Sequence, residues 1–322
     1  MQGKVKQSAC RQVYVGIDVS KGHLDVYLHP LDESLRVVND KSGWRQIKRR
    51  LKDLDIEVVV VEATGKFHRG VHRSLADDGF KVAVLNPYRS RKFSDALGEL
   101  AKTDEIDARV LALAGEALRP DTTPPQPKAL EALQELVQLR NALKAERTAN
   151  RNRLTGLEDG FAKKELRLLL QSLERRIAKL EVEILARVKA DPALSHRYQI
   201  LTSIPGIGPV TAGTMIANLA ELGSLDSKQI AALVGVAPMN WDSGKMRGQR
   251  HIKGGRASVR TPMYMAALAA ARSKKSGLKP FYQRLRGKGK PAKLALTAVI
   301  RKLVILANTL IKEGRQWQPI AP

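Results

Sequence analysis

The segment Lys102-Thr103-Asp104-Glu105-Ile106-Asp107-Ala108-Arg109-Val110-Leu111-Ala112 places two aspartates at the start of an apolar helical pattern. On a helix, Asp104 and Asp107 are three residues apart and share one face. Ile106 and Val110 belong to the apolar stripe that would seat this helix against a core. Two carboxylates on one face repel unless a cation or a hydrogen-bond donor compensates them. An isolated pair of this kind is usually a solvated acidic turn, so its meaning depends on the chain that precedes it.

Upstream of this segment, two β-rich runs have an acid at or near their ends. Val13–Ser20 and the run 24–28 predict a hairpin, with Asp18 near the end of its first strand. Ile56–Glu62 is nearly all β-branched, as expected of a strand buried on both faces, and it ends at Glu62. The remaining predicted elements are a third strand and two helices: Lys81–Pro87, 43–54 and 66–78.

Strands that alternate with helices predict an α/β layer whose sheet is at least partly parallel. Ligands gather at the carboxyl ends of strands in such sheets, which is where Asp18 and Glu62 lie. With Asp104 and Asp107 they supply oxygen donors without histidine or cysteine, a set that suits Mg²⁺ or Mn²⁺. Two such ions can activate one oxygen of a phosphodiester and stabilise the leaving one. Other acids of this region are predicted to be surface charges: Asp25, Asp53, Asp55, Asp77 and Asp78.

The composition predicts a soluble protein with a polyanionic partner. The chain has 322 residues, a formal net charge of +24 and a pI near 10.3. Its one cysteine, Cys10, cannot form an internal disulfide, which fits a reducing cytoplasm. The N-terminus has no apolar core, and we expect no signal peptide. Leu294–Ile311 is the most apolar long segment, but Arg301 and Lys302 at its centre predict a packed helix with no membrane partner.

The pattern along the chain predicts three segments. Pro120–Pro127 predicts a stiff linker that closes a first domain of residues 1–120. Residues 121–195 are predicted to be a linker followed by a helical spacer, which glycines interrupt. Beyond that interruption, apolar residues step by four and three, as in a coiled coil: Leu166, Leu170, Leu173, Ile177, Leu180 and Ile184. This seam fits dimerisation or packing within one chain. The third segment, residues 196–322, is predicted to be mainly α-helical.

Residues 201–212 of the third segment read as helix, tight glycine turn, helix. The pattern resembles a helix-hairpin-helix, in which Gly206 and Gly208 would let backbone amides approach a DNA phosphate. A glycine turn between two packed helices is the alternative. The helix-hairpin-helix interpretation predicts contact with nucleic acid.

A strongly basic stretch follows, and a serine lies at its start. From Ser243 to Lys302 there is no aspartate or glutamate, against 17 lysines and arginines. So one-sided a charge predicts phosphate binding. The cations nearest the serine are the predicted nucleic-acid contacts: Lys245, Arg247, Arg250, Lys253 and Arg256. Nearby cations could activate the Ser243 hydroxyl as a nucleophile, although a Ser-Gly pair alone is usually a turn. Ser203 and Ser258 are the other candidate serines.

Three acidic stretches, GIDVSKGHLDV, VVVEATG and KTDEIDARVLA, resemble the motifs of the RuvC-like domain in insertion sequence 110 family transposases, also called DEDD transposases. This resemblance implies an RNase H-like fold, with Asp18, Glu62, Asp104 and Asp107 as the metal-binding catalytic acids. It further implies a C-terminal transposase domain that supplies a serine nucleophile, and Ser243 is the residue that aligns with it.

The resemblance implies a recombinase that excises and inserts its own element in the bacterial or archaeal nucleoid. Its partners would be the DNA of the element ends and target, a guide RNA called the bridge RNA, and Mg²⁺. It would act as a homo-oligomer, a dimer or a tetramer, with acids and serine from different subunits in one site.

Two other functions are compatible with the same residues. A metal-dependent RuvC-like nuclease or Holliday-junction resolvase would use water as the nucleophile, and its serine would be structural. A non-catalytic nucleic-acid-binding protein would need none of the four acids for its activity.

Overall fold

The structure of the protein is a computed structural model that describes residues 12–63, 65–99, 103–244 and 246–319. The chain divides into two compact units, Met1–Gln126 and Pro127–Pro322. We call them the N-terminal unit and the C-terminal unit. The N-terminal unit is mixed α/β, and the C-terminal unit is mostly helical.

A five-stranded sheet in the order β3-β2-β1-β4-β5 forms the centre of the N-terminal unit. Strands β1, β2 and β3 pair antiparallel, whereas β1 pairs with β4, and β4 with β5, in parallel. The predicted hairpin, the buried strand and the partly parallel sheet are therefore confirmed. The strands are β1 (Val13–Val19), β2 (His23–His29), β3 (Glu33–Val38), β4 (Ile56–Glu62) and β5 (Val82–Leu85).

Helices cover both faces of this sheet. They are α1 (Lys41–Leu51), α2 (His68–Asp77), α3 (Pro87–Leu97) and α4 (Asp104–Leu118). Because side chains alternate along a strand, Val15 and Ile17 of β1 pack with α1 and α2 on one face. Tyr14 of β1 and Val60 of β4 point to the opposite face, where they pack with α4.

Two glycines allow α4 to lie directly on the sheet. A Cβ added at Gly16 of β1 would lie 2.0 Å from the Ala108 carbonyl oxygen and 2.4 Å from the Ala112 nitrogen. A Cβ added at Gly115 of α4 would lie 3.1 Å from Val60 Cγ2. Gly115 also faces Tyr14, so α4 runs antiparallel to β1. This packing brings the first turn of α4 to the carboxyl end of β1.

The proline-rich segment after α4 is part of the N-terminal unit, whereas we predicted a linker that begins at residue 120. The Thr123 nitrogen donates to the Val82 carbonyl at 2.8 Å, and the Val84 nitrogen donates to Thr123 Oγ1 at 3.1 Å. Arg73 of α2 also donates to the Gln126 carbonyl. The first boundary falls at Gln126 because this segment hydrogen-bonds to the edge strand β5.

Eight helices form the bulk of the C-terminal unit. They are α5 (Lys128–Gly156), α6 (Gly160–Ala190), α7 (Pro192–Ser203), α8 (Pro209–Asn218), α9 (Ser227–Val234), α10 (Ala257–Arg272), α11 (Lys279–Gly287) and α12 (Ala292–Glu313). Four two-residue strands lie between α9 and α10: β6 (Pro238–Met239), β7 (Asp242–Ser243), β8 (Met246–Arg247) and β9 (His251–Ile252).

The predicted helical spacer belongs to the C-terminal unit. Helices α5 and α6 form a hairpin whose turn lies at the predicted glycine interruption, and Leu170, Leu173 and Ile177 of α6 are buried. The open end of the hairpin shares one core with the helices that follow, because Leu133 and Val188 pack in the same apolar cluster as α7 to α12. The structure thus divides the chain into two units rather than the three predicted segments.

Helix α12 is a long apolar helix and lies in that core. By length and composition alone it could cross a membrane. Nine of its residues are buried in the unit, and the buried Asn308 side chain accepts from the Gly223 nitrogen and donates to the Leu225 carbonyl. The predicted packing of residues 294–311 as a core helix is confirmed.

Candidate active site and nucleic-acid-binding surface

The two strand acids lie side by side at one edge of the sheet. Strands β1 and β4 are parallel neighbours, and their register pairs Ile17 with Val61 immediately before Asp18 and Glu62. Asp18 is two residues beyond Gly16, and Glu62 is two residues beyond Val60. By the alternation of side chains, both acids therefore point to the face that α4 covers.

The two helix acids approach the same place from the first turn of α4. Thr103 caps this helix, because its hydroxyl accepts a hydrogen bond from the Ile106 nitrogen at 3.3 Å. Asp104 and Asp107 lie in the first turn, where the helix dipole favours negative charge. The predicted acidic pair thus forms a capped helix start.

The pKa of Asp18 reflects its burial and the three other acids near it. Burial and the neighbouring Asp107 carboxylate raise this pKa from 3.8 to about 6, against a hydrogen bond from the Val19 amide that lowers it. Asp104 and Glu62 raise it further. Like charges that crowd a half-buried carboxyl favour its protonated form. The structure therefore brings all four sequence-predicted acids together.

This donor set fits a hard divalent cation, although the carboxylates have other partners in this conformation. Within the described ranges, no three His, Cys, Asp or Glu side chains are as close together as the ligands of one metal ion. Arg36 Nη2 donates to Asp104 Oδ2 at 3.0 Å, and the Ser90 hydroxyl donates to Glu62. Carboxylate oxygens are the ligands that Mg²⁺ prefers, and a cation would relieve the repulsion that raises the Asp18 pKa.

Asp25 is a member of this site, and its prediction as a surface charge was wrong. It is only 5% exposed, and the register of β1 and β2 places it directly opposite Asp18. Arg36 of β3 donates two hydrogen bonds to the Asp25 carboxylate, from Nε to Oδ1 at 2.7 Å and from Nη2 to Oδ2 at 3.0 Å. The same Nη2 also donates to Asp104. The signal was a single carboxylate among the apolar residues Leu24, Val26 and Leu28 of strand β2.

Arg36→Gln should lower the free energy of unfolding by about 1–3 kcal/mol, measured by urea denaturation. The substitution removes the guanidinium that donates two hydrogen bonds to the buried Asp25 carboxylate. A buried charge that loses its partner lowers the stability of the folded state. The matched control is Arg50→Gln, which breaks a half-exposed pair with Glu33 and should cost less than about 1 kcal/mol. Equal losses in the two variants would contradict the bridging role of Arg36.

The proposed nucleophile lies at the tip of a small hairpin in the C-terminal unit. Strands β7 and β8 pair Asp242 with Arg247 and Ser243 with Met246, and Ser243 is exposed. Of the two other candidate serines, Ser203 has a structural role, because its hydroxyl donates to the Ile200 carbonyl and accepts from the Trp317 nitrogen. An exposed hairpin tip leaves the Ser243 hydroxyl accessible to a phosphate.

Three predicted phosphate contacts surround this hairpin with positive charge. Arg247, Arg250 and Lys253 are all exposed, and within the described ranges none of them forms an ion pair with an acid. Lys245 was predicted to join them, but it lies outside the described residues. Uncompensated cations around an exposed hydroxyl favour the approach of a phosphodiester.

The structure corrects the prediction for Arg256, which is engaged within its own unit. Its guanidinium holds both Glu221 oxygens, at 2.7 and 2.6 Å, and the Asn218 carbonyl at 2.8 Å. Burial alone would raise the pKa of Glu221, but the hydrogen bonds from Arg256 outweigh it, and the pKa lies below its ordinary value. We therefore assign Arg256 to the packing of the C-terminal unit, because both of its terminal nitrogens bind groups of that unit.

The glycine turn between α7 and α8 has one packed residue and one exposed residue. Gly206 has a φ of 103° and faces α10, where an added Cβ would lie 2.6 Å from the Ala266 carbonyl oxygen. Its lack of a side chain is thus explained by helix packing, the alternative weighed for this turn. Gly208 is exposed at the start of α8, and its contact with a phosphate stays a prediction.

Comparison with known proteins relates both halves of the chain to transposases. A family model of DEDD transposases of the IS110 type, described as a transposase, matches residues 15–161. A second family model, described as a transposase of the IS116/IS110/IS902 family, matches residues 198–283. The first match contains the four acids, and the second contains Ser243.

Relatives align over most of the chain. It is 25% identical over 315 residues to a pilin gene-inverting protein of Moraxella bovis, an alignment that covers 95% of this chain and 98% of that protein. It is also 27% identical over 296 residues to the transposase for insertion sequence element IS1111A of Coxiella burnetii. That alignment covers 81% of this chain and 79% of that protein. The chain belongs to the IS110 family of transposases, which are DNA recombinases.

Proposed function

We propose that this recombinase cuts and rejoins DNA with four metal-binding acids and one serine nucleophile. The observation that supports the acids is the raised pKa of Asp18, to which burial contributes most and the nearby Asp107, Asp104 and Glu62 carboxylates contribute further. The sheet order β3-β2-β1-β4-β5, with acids at the ends of β1 and β4, supports an RNase H/RuvC-like fold for the N-terminal unit.

In this proposal the four acids hold Mg²⁺, or Mn²⁺ in its place. The bound ions would polarise the scissile phosphate and balance the charge that develops on it. Asp18 and Glu62 supply oxygens from neighbouring strand ends, and Asp104 and Asp107 supply oxygens from the start of α4. Arg36 and Ser90 orient the carboxylates of Asp104 and Glu62.

Ser243 supplies the nucleophile in the same proposal. Its Oγ attacks the scissile phosphorus, so that a serine–phosphate ester forms and the bond from phosphorus to the departing DNA oxygen breaks. The serine gives up its proton, and the departing oxygen takes up a proton. The exposed hairpin tip and the exposed cations Arg250 and Lys253 that follow it support this role, since cations stabilise the charge on the phosphate.

We infer that the recombinase excises and inserts its own element under the guidance of a bridge RNA. The partners are then the element ends, the target DNA, the RNA and further copies of this chain, as a dimer or tetramer with composite sites. The net charge of +24 supports more than one nucleic-acid partner. Sequencing the RNA that co-purifies with the protein from its host tests this point. A discrete RNA complementary to the element ends supports guidance, and bulk cellular RNA alone contradicts it.

Ser243→Ala should abolish the covalent adduct between protein and cognate DNA, measured as labelled DNA that migrates with the protein after denaturation in SDS. The wild-type protein should form the adduct only with Mg²⁺ or Mn²⁺, because the phosphate needs charge stabilisation. Ser203→Ala and Ser258→Ala are the matched controls and should retain the adduct wherever they fold.

The same experiment distinguishes the competing resolvase function. A hydrolytic nuclease uses water, leaves no adduct and cuts equally well with Ser243→Ala. That outcome would assign Ser243 to the structure of the hairpin and leave the acids as the whole active site.

A further inference from the structure

Apolar side chains lie exposed around Ser243, where a basic surface would be expected to be polar. Trp241 is 72% exposed and Met246 is 59% exposed. The structure describes all three tryptophans of the chain, and the other two, Trp44 and Trp317, are partly buried against apolar cores. Exposed apolar side chains that lie together are typical of a surface that a ligand covers.

The hairpin register places this tryptophan next to the serine. Ser243 lies opposite Met246, and two residue pairs further from the tip the Gly248 nitrogen donates to the Trp241 carbonyl at 3.0 Å. Because side chains alternate along a strand, Trp241, Ser243 and Met246 share one face of the hairpin, and Asp242 and Arg247 point to the other.

The backbone at Trp241 is held in place by a contact that only glycine permits. A Cβ added at Gly248 would lie 2.2 Å from the Trp241 carbonyl oxygen, so any larger residue would push the two strands apart. Trp241 therefore stands on a defined backbone and not on an unrestrained loop. A rigid aromatic ring beside a reactive hydroxyl is suited to binding a flat partner.

We propose that Trp241, supported by Met246, is a stacking platform for a nucleobase of the DNA strand that Ser243 engages. Aromatic rings bordered by cations bind unpaired bases in this way, and Arg247, Arg250 and Lys253 supply the charge that attracts the strand. Alternate residues of a strand are about 7 Å apart. A base stacked on Trp241 therefore places an adjoining phosphate beside Ser243.

This platform rests on the proposed role of Ser243 and deepens it. A base held on the indole is removed from the duplex stack, so the phosphate next to it is no longer shielded by its helical neighbours. Trp241 is then a positioning residue that selects which phosphate meets the serine.

Tryptophan fluorescence of the full-length protein tests the platform without any cleavage. The two probes are an oligothymidylate and an abasic DNA oligomer of equal length and charge. Oligothymidylate should quench the wild-type emission and bind more tightly than the abasic oligomer. Trp241→Ala should weaken oligothymidylate binding about 5- to 150-fold, the range for one stacked base, and leave abasic binding unchanged.

Two further variants make the test specific. Trp241→Phe should lose the quenching signal but keep the affinity within about 3-fold, since phenylalanine still stacks. Val182→Ala removes an equally exposed apolar side chain, 71% exposed on α6, and should behave as the wild type.

Three outcomes would overturn the platform. They are equal binding of thymidylate and abasic oligomers, no effect of Trp241→Ala, and a Trp241-dependent preference for oligouridylate over the DNA probe. Failure of the proposed function looks different. Quenching without a covalent adduct rejects the serine chemistry alone, and an adduct without base-dependent quenching rejects the platform alone.

Discussion

Asp18→Asn should abolish DNA cleavage and at the same time stabilise the N-terminal unit. Asparagine removes one charged oxygen from the proposed metal site, and losing several kcal/mol of charge stabilisation slows the reaction about 10³-fold or more. In the protein without metal, the same change removes a charge that burial disfavours and that Asp107, Asp104 and Glu62 repel. Screening leaves a gain of about 1 kcal/mol, a rise of about 2–4 °C in the unfolding midpoint.

The stability gain should depend on pH in a defined direction. The pKa of Asp18 is about 6 in the folded protein against 3.8 ordinarily, so the folded state holds this proton more tightly. The stabilisation from the bound proton is present at pH below about 4 and is lost as the pH rises through about 6. Asp18→Asn should therefore exceed the wild type in stability at pH 7, and the two should converge at pH 4.

Calorimetry at both pH values, with a cleavage assay on cognate DNA, measures these effects. Asp53→Asn is the matched control, because Asp53 is an exposed acid of the same unit that precedes β4, at the opposite end from Glu62. It should change neither activity nor the unfolding midpoint. An Asp18→Asn protein that cuts DNA normally would remove Asp18 from the active site. One that is less stable than wild type at pH 7 would contradict the crowding of the acids.

Gly16→Val should destabilise the N-terminal unit by about 3 kcal/mol or more and eliminate activity. The new side chain would meet the Ala108 carbonyl and the Ala112 nitrogen, which are backbone atoms that cannot rotate away. Helix α4 must then move off β1, and Asp104 and Asp107 move with it away from Asp18.

Urea denaturation and DNA cleavage by the fraction that remains folded measure this effect. Gly16→Ala is the milder variant for a case in which valine prevents folding. Gly22→Ala is the control, because an added Cβ there meets nothing within 4 Å, and the expected change is within about 0.5 kcal/mol. Normal stability of both Gly16 variants would show that α4 does not need this close approach.

The sequence predicted the local features of the site well, because each has a short-range cause. Runs of β-branched residues predict buried strands, and the acids at or near their ends predicted Asp18 and Glu62 at one edge of the sheet. Asp104 and Asp107, three residues apart at the start of an apolar helical pattern, predicted a helix that carries both acids on one face. Glycines predicted the interruption between α5 and α6, which the structure has at residues 157–159.

Only the tertiary structure decided which charged residues pair with one another inside the protein. Asp25 and Arg36 meet because β2 and β3 pair in one register, and Arg36 reaches Asp104 across 68 residues of sequence. Arg256 meets Glu221 across 35 residues and so leaves the predicted DNA surface. These partners come from different elements, so no local pattern of residues identifies them.

The amino-acid sequence by itself thus determined the strands, the helix start, the candidate acids and serine, and the basic surface. These follow from propensity, periodicity and charge, which act over a few residues. The tertiary structure decided that Gly16 seats α4, that Asp25 is buried beside Asp18, and that Trp241 shares a face with Ser243. Strand register and helix packing set those contacts, because they bring together atoms whose separation along the chain carries no information about their distance in space.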